Sequence, residues 1–329
     1  MTSAKTISLF GALFLVGSLP AYSAPQETFL EAPAGSGSLK GTLLTPAPQP
    51  TTATVLIVPG SGPTDRDGNN PLGVKASTYR LLAEGLAAHG VATLRIDKRG
   101  MYASATAAPD ANAVTIRDYA DDVDTWVGVL RKQTGAPCVW VLGHSEGGLV
   151  ALAAAKQATG ICGLILVSTP GRPLGEVIRG QLKANPANAP LLEQALPAID
   201  SLERGEHVDT KDMHPALLRL FSPAVQGFLI SAFSYDPARL INEVSKPVLV
   251  LQGQSDLQVG EADARLLKQA DPQAALVLLP GVNHVLKLVP GDDRRANAAT
   301  YSDPALPLAP GVVDAIVQFL AHAATSAGR

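Results

Sequence analysis

The chain has 329 residues, 46% of them hydrophobic and 17% charged, enough to bury a full core as one large domain with an insertion or as two domains. Its formal net charge of −3 and the absence of any Lys/Arg stripe leave nucleic-acid binding without electrostatic support. With only two cysteines, Cys138 and Cys162, a disulfide framework does not hold the fold together.

Only Lys5 and the amino terminus precede the apolar run Ile7 to Leu19, and Ala21-Tyr-Ser23 follows it. Positive charge, a short apolar core and small residues at −3 and −1 predict a secretory signal peptide over residues 1–23, cut after Ser23. The run is too short to span a bilayer comfortably, so a stable membrane anchor is the lesser reading. The mature chain is expected to be periplasmic or secreted.

Strands are predicted at Thr28 to Ala32 and Leu39 to Leu44, around the turn Gly35-Ser-Gly37. Ala53 to Val58 is a wholly apolar or β-branched run, as expected of a strand covered on both faces. A helix follows from Thr78 to His89, with Gly90 suited to its left-handed cap. Val91 to Ile96 is the next strand and Val114 to Lys132 the next helix. Gly163 to Val167, Pro247 to Leu251 and Ala275 to Leu279 continue the strands, and a last helix runs from about Gly311 to Ala324. Alternating strands and helices predict an α/β fold with a mainly parallel, doubly wound sheet. Residues 171–245 break the alternation with helical stretches punctuated by prolines.

Between the second and third helices lies the most informative stretch, Cys138-Val-Trp-Val-Leu-Gly-His-Ser-Glu-Gly-Gly148, followed by Leu149 to Lys156 of helical composition. A buried strand, Gly143-x-Ser145-x-Gly147 and a helix make a nucleophile elbow. The serine sits on a sharp turn, so the residues two before and two after it must be small. The turn also opens a helix, whose free N–H groups and positive dipole end face a developing oxyanion.

Here the chain resembles the α/β-hydrolase superfamily, and more narrowly its bacterial esterase and lipase-like serine hydrolases. The likeness rests on Pro59-Gly-Ser-Gly-Pro-Thr-Asp-Arg-Asp-Gly-Asn69, Asp97-Lys-Arg-Gly100, the elbow and Asn283-His284. It implies a core domain over 24–170 and 246–329, with 171–245 as a helical cap folded over the elbow. The cap's apolar residues Leu217, Leu218, Leu220, Phe221, Phe228, Leu229 and Phe233 serve packing or an acyl pocket, and the sequence does not choose between them.

A serine hydroxyl needs a base, and the base an orienting partner. The superfamily's order is Ser, acid, His. Of six histidines only His284 follows a late strand; His89 and His322 fall on helices, His207 and His214 in the insertion, and His144 inside the elbow. The acid is expected just beyond the strand ending at Leu251, where Gln252-Gly-Gln-Ser-Asp256 supplies Asp256. Asp263 and Asp271, on the next helix, are expected to be solvated, and Asp236 is a remote competitor. The oxyanion donors are expected to be the backbone N–H groups of Glu146 and Ser61. Many relatives carry His-Gly where this chain has Pro59-Gly60, which changes a side chain and leaves the backbone role intact.

Asp65-Arg66-Asp67-Gly68-Asn69 has the alternating oxygens of a calcium loop, but its glycine is misplaced and Ala76 stands where a glutamate closes the cage, so calcium is not expected. The loop is expected to pair its charges internally and brace the oxyanion turn, with contact to a polar part of the substrate as the alternative. The Asp97-Lys-Arg-Gly100 turn reads as structural; Met101 to Ser104 lacks the glycine with which the family continues. Cys138 and Cys162 begin neighbouring strands, and a disulfide and two buried thiols both stay open.

The resemblance implies a serine hydrolase acting on small-molecule carboxylic esters without cofactor or metal, through Ser145, Asp256 and His284. A peptidase or amidase, or a thioesterase, uses the same three residues. A binding protein on an inactive hydrolase scaffold is the non-enzymatic alternative.

Overall fold

The structure, a computed structural model, describes residue 1 and residues 24–47, 51–291 and 293–327. Apart from Met1, the expected signal peptide lies outside the described residues. Strands β1 (Gln26–Ala34) and β2 (Gly37–Thr45) form a hairpin, and β3 (Ala53–Val58) leads to helix α1 (Thr78–Ala87). Then come β4 (Val91–Ile96), α2 (Ile116–Thr134), β5 (Val139–His144), α3 (Glu146–Ala155) and β6 (Ile161–Val167). Five helices separate β6 from β7: α4 (Leu174–Ala184), α5 (Leu192–Glu203), α6 (Pro215–Phe221), α7 (Pro223–Phe233) and α8 (Pro237–Asn242). The chain closes with β7 (Val248–Gly253), α9 (Glu261–Ala270), β8 (Ala275–Leu279), α10 (Arg294–Ala299) and α11 (Val312–Ala327).

The eight strands form one sheet in the order β1-β2-β4-β3-β5-β6-β7-β8. The β1–β2 and β2–β4 pairs are antiparallel, and every pair from β4 through β8 is parallel. Alternation along β3 distributes its side chains between two cores. Val55 and Ile57 pack with Tyr79, Leu82 and Leu86 of α1 and with Val312, Ile316 and Leu320 of α11. Leu56 and Val58 face the other way, toward Trp126 and Leu130 of α2 and Leu149 and Leu152 of α3. Helices on both faces explain why β3 carries no alternation of apolar with charged residues. Thr115 and Asp118 form a reciprocal capping box at the start of α2, and Gly135 ends it at φ 73°.

The segment between β6 and β7 belongs to the second core. Leu217, Phe221, Leu229 and Phe233 are buried in the cluster that contains α2 and α3, and Leu220 and Phe228 pack against its edge. Phe228 meets Tyr119 edge-on at 6.1 Å, and the Ile116 N–H donates to Ser231 Oγ at 3.2 Å. Lys156, just beyond α3, pairs with Glu243, just beyond α8, at 2.5 Å. These apolar side chains therefore bind the insertion to the flank of the sheet.

The cysteine alternatives resolve as a disulfide: Cys138 and Cys162 are bonded, with their Cα atoms 5.2 Å apart. The bridge ties the starts of β5 and β6, the ends opposite Ser145. Among the described residues no single helix is long and apolar enough to cross a membrane.

Candidate active site

Strand β5 ends at His144 and α3 starts at Glu146, so Ser145 alone makes the turn, at φ 55° and ψ −122°. Those angles are costly for a residue with a Cβ and are held by the packing around them. A Cβ on Gly143 would lie 2.2 Å from the Gly147 carbonyl oxygen, and one on Gly147 would lie 2.3 Å from that of Val58. Both contacts are with backbone. The spacing of small residues around Ser145 thus has the steric cause expected of it.

The structure brings the other two expected residues together. His284, in the loop after β8, places Nδ1 2.7 Å from Oδ2 of Asp256, in the loop after β7. Asp256 Oδ1 also accepts from the N–H groups of Gln258 (2.8 Å) and Val259 (3.0 Å). Burial opposes ionisation of Asp256, but His284 and these two donors outweigh it and hold the carboxyl below its ordinary range. Ser145 and His284 line one cavity of about 130 Å³ together with Gly60, Ser61, Thr64, Asn70, Thr78, Gln258 and Tyr301. Ser61, expected as an oxyanion donor, is in that wall, and Glu146, the other, is the first residue of α3. No residue of 171–245 is among those lining it.

Several expectations are corrected. Asp263 is not solvated: it is fully buried and accepts a bidentate pair from Arg172 (2.9 and 2.8 Å) and the Gly171 N–H (3.1 Å), holding the start of the insertion to α9. The Asp65 loop does not pair its charges internally. Arg66 chelates Asp97 through Nε (3.1 Å) and Nη2 (2.6 Å), and Asp67 pairs with Arg95, so the loop is bound to β4 and its following turn. Asp65 caps its own turn by accepting from the N–H groups of Asp67 and Asn69, each at 2.9 Å. Asp236 caps α8, and His214 caps α6.

Four residues for which the sequence suggested no role at the site complete the surroundings. The Gly60 N–H donates to the Tyr79 hydroxyl at 2.9 Å, which lies 2.9 Å from His144 Nδ1, and His144 Nε2 lies 2.8 Å from the His284 carbonyl oxygen. A carbonyl only accepts, so Nε2 carries the proton and Nδ1 accepts from Tyr79. Burial, reinforced by the neighbouring His284, lowers the His144 pKa to about 3, so the ring is neutral. Lys98, in the turn after β4, is buried and donates from Nζ to the Gly60 carbonyl at 2.7 Å, with Glu146 Oε1 at 3.6 Å. Asn297 of α10 donates to the Ser255 carbonyl (2.7 Å) and accepts from Asn283 Nδ2 (3.0 Å), joining the neighbours of Asp256 and His284. His144 and Lys98 lie within motifs and Tyr79 and Asn297 outside them, but the contacts of all four are recognisable only once distant segments meet.

Comparison with known proteins agrees with this architecture. Esterase EstD of Thermotoga maritima is 27% identical over 277 residues, which cover 82% of this chain and 62% of that protein. The chain thus spans less than two thirds of the length of that curated relative. Among solved structures, Est1E from Butyrivibrio proteoclasticus is 18% identical, with 90% of this chain and 99% of that one covered at a TM-score of 0.56. Proline iminopeptidase from Mycobacterium smegmatis is also 18% identical, with 91% and 100% covered at 0.55. At such identities the structural likeness establishes the fold alone. Residues 72–288, more than half of the chain, match the model of the family described as serine aminopeptidase, S33. The chain belongs to that family and, through it, to the α/β-hydrolase superfamily.

Proposed function

We propose that the protein is an exported serine hydrolase that cleaves carboxylic esters through an acyl-enzyme. The observation that carries this reading is the 2.7 Å bond between His284 Nδ1 and Asp256 in a cavity that His284 shares with Ser145. With Nδ1 committed to Asp256, Nε2 is the free ring nitrogen that takes the Ser145 proton as Oγ attacks the carbonyl carbon. The N–H groups of Ser61 and Glu146 hold the oxyanion, and His284 returns its proton to the departing alcohol. Water then repeats the sequence on the acyl-enzyme, releasing the acid and restoring Ser145.

The esterase relative and the absence of any carboxylate among the described residues of the cavity wall favour an ester over a peptide substrate. An aminopeptidase has to balance the free ammonium of its substrate, and among the described residues the wall offers Gln258, Tyr301, Thr64 and Asn70 but no Asp or Glu. Export is supported by the apolar segment after Lys5 and by the Cys138–Cys162 disulfide, which suits an oxidising compartment.

The test is intact-mass labelling with a fluorophosphonate on wild type and Ser145→Ala, followed by turnover of acyl esters against aminoacyl anilides. A single adduct absent from the variant, with esters preferred, is expected. An unlabelled, well-folded wild type would move the binding-protein reading to the front.

A further inference from the structure

We propose that the acyl group taken by this site is short and carries an oxygen of its own, as in esters of three- to four-carbon hydroxy or keto acids. The proposal rests on the serine-hydrolase reading and names its substrate class. The acyl group stays bonded to Ser145 through the second half-reaction. It must therefore fit the cavity that Ser145 lines, whereas the departing alcohol need not.

Size sets the first limit. The cavity measures about 130 Å³. A pocket of roughly 150 Å³ accommodates benzene, so this one has room for about six non-hydrogen atoms. A 3-hydroxybutyryl group has six and an octanoyl group nine. The insertion does not extend the space, because Leu217, Phe221, Leu229 and Phe233 are spent on the core and none of them lines the cavity.

The wall sets the second. Thr64 and Thr78 already commit their hydroxyl protons, to the carbonyls of Ser61 (2.9 Å) and Val285 (3.0 Å). Besides the hydroxyls of Ser61 and the nucleophile Ser145, the wall holds two side-chain donors, on Tyr301 and Asn70, that stay uncommitted among the described residues. The Tyr301 hydroxyl accepts from Gln258 Nε2 at 3.1 Å but gives its own proton to no protein acceptor. Asn70 uses its Oδ1 to accept from the Leu72 N–H at 2.9 Å, and its Nδ2 has no acceptor. Burial also raises the Tyr301 phenol to about 12, so it is a donor throughout the working pH range. A plain alkyl chain would strip water from both donors and return nothing, whereas an oxygen on the acyl group accepts from them.

The experiment measures kcat/KM of the full-length protein on p-nitrophenyl acetate, butyrate, hexanoate, octanoate and 3-hydroxybutyrate, with Tyr301→Phe and Asn70→Ala alongside wild type. Comparing the same ester pair across variants cancels intrinsic reactivity. We expect wild-type kcat/KM to fall at least about tenfold from butyrate to octanoate, the scale that pocket mismatch produces. We expect the 3-hydroxybutyrate-to-butyrate ratio to drop about fivefold in at least one variant, as loss of one ordinary hydrogen bond would give. Octanoate turned over as well as butyrate, or a ratio unchanged in both variants, would overturn the proposal. Fluorophosphonate labelling separates the two levels. A labelled Ser145 with a flat chain-length profile sinks only the substrate class, while an unlabelled one sinks the hydrolase reading beneath it.

Discussion

Lys98 Nζ donates to the carbonyl oxygen of Gly60 at 2.7 Å, and that carbonyl shares a peptide unit with the N–H of Ser61. A cation on the oxygen end of a peptide draws electron density from its nitrogen end, making the N–H a stronger donor to an oxyanion. The same ammonium lies 3.6 Å from the carboxylate of Glu146, the residue proposed to supply the other donor. Burial lowers the Lys98 pKa and Glu146 opposes that shift, so the pair depends on both members.

Replacing Lys98 by Met is therefore expected to lower kcat by about 10- to 100-fold, up to the scale seen when an oxyanion donor is lost, with a smaller effect on KM. It also leaves Glu146 as an uncompensated buried acid, a loss of about 3 kcal/mol in urea unfolding. Adding Glu146→Gln removes that orphan charge while keeping the backbone N–H. Stability should return in the double variant and kcat should not. Recovery of kcat together with stability would make Lys98 a purely structural residue.

Ser145 holds φ 55° and ψ −122°, a conformation glycine adopts freely. Both Ser145→Ala and Ser145→Gly are expected to abolish fluorophosphonate labelling, but they should differ in stability. Relief of backbone strain should make the glycine variant more stable than the alanine one by about 1 kcal/mol. Equal urea midpoints would show that the turn stores no strain at this residue.

The parts of this architecture that were legible in the sequence are those encoded locally. The core strands β3, β6 and β8 are dominated by apolar or β-branched residues, and Gly143-x-Ser145-x-Gly147 records a steric requirement within five positions. His284 and Asp256 were readable because each follows a strand, and the fold puts the ends of β7 and β8 side by side. Asp263 misled because an acidic residue on an amphipathic helix usually faces water; only the chain's return at Arg172 buries it. Tyr79, His144 and Lys98 were illegible for a related reason. Their partners stand 19, 140 and 38 positions away, and no spacing rule links them. The apolar residues of the insertion could not be divided between core and pocket, since burial against a helix and burial against an acyl chain select the same side chains.

The neutral His144 predicts a specific pH dependence. Its pKa falls from 6.5 to about 3 in the folded protein, first because it is buried and second because of His284. Between those values the unfolded chain binds a proton that the native state refuses, so stability decreases as pH falls from 6.5 toward 3 and is fully present above that window. One such group contributes at most about 1.4 kcal/mol per pH unit. Urea midpoints at pH 7.5, 5.5 and 4.5 should show this loss in wild type. His144→Gln should be less stable at pH 7.5, because Tyr79 loses its acceptor, yet show a shallower decline on acidification. An unchanged slope would assign the acid sensitivity to other groups.

The Cys138–Cys162 bridge should contribute to stability without contributing to catalysis. It links residues separated by 24 positions, and closing a loop of that length restrains the unfolded chain by about 3 kcal/mol. The bridge sits where β5 and β6 begin, and six residues of strand put it roughly 20 Å from the turn that carries Ser145. Cys138→Ala/Cys162→Ala should thus unfold at a lower urea concentration by an amount near that figure, while its labelling rate with the fluorophosphonate at 25 °C stays that of wild type. Reductant should reproduce the effect on wild type and leave the double variant unchanged. A labelling rate that falls along with stability would mean that strain at the base of β5 reaches the elbow, and that the sheet is less rigid along its length than its double layer of helices implies.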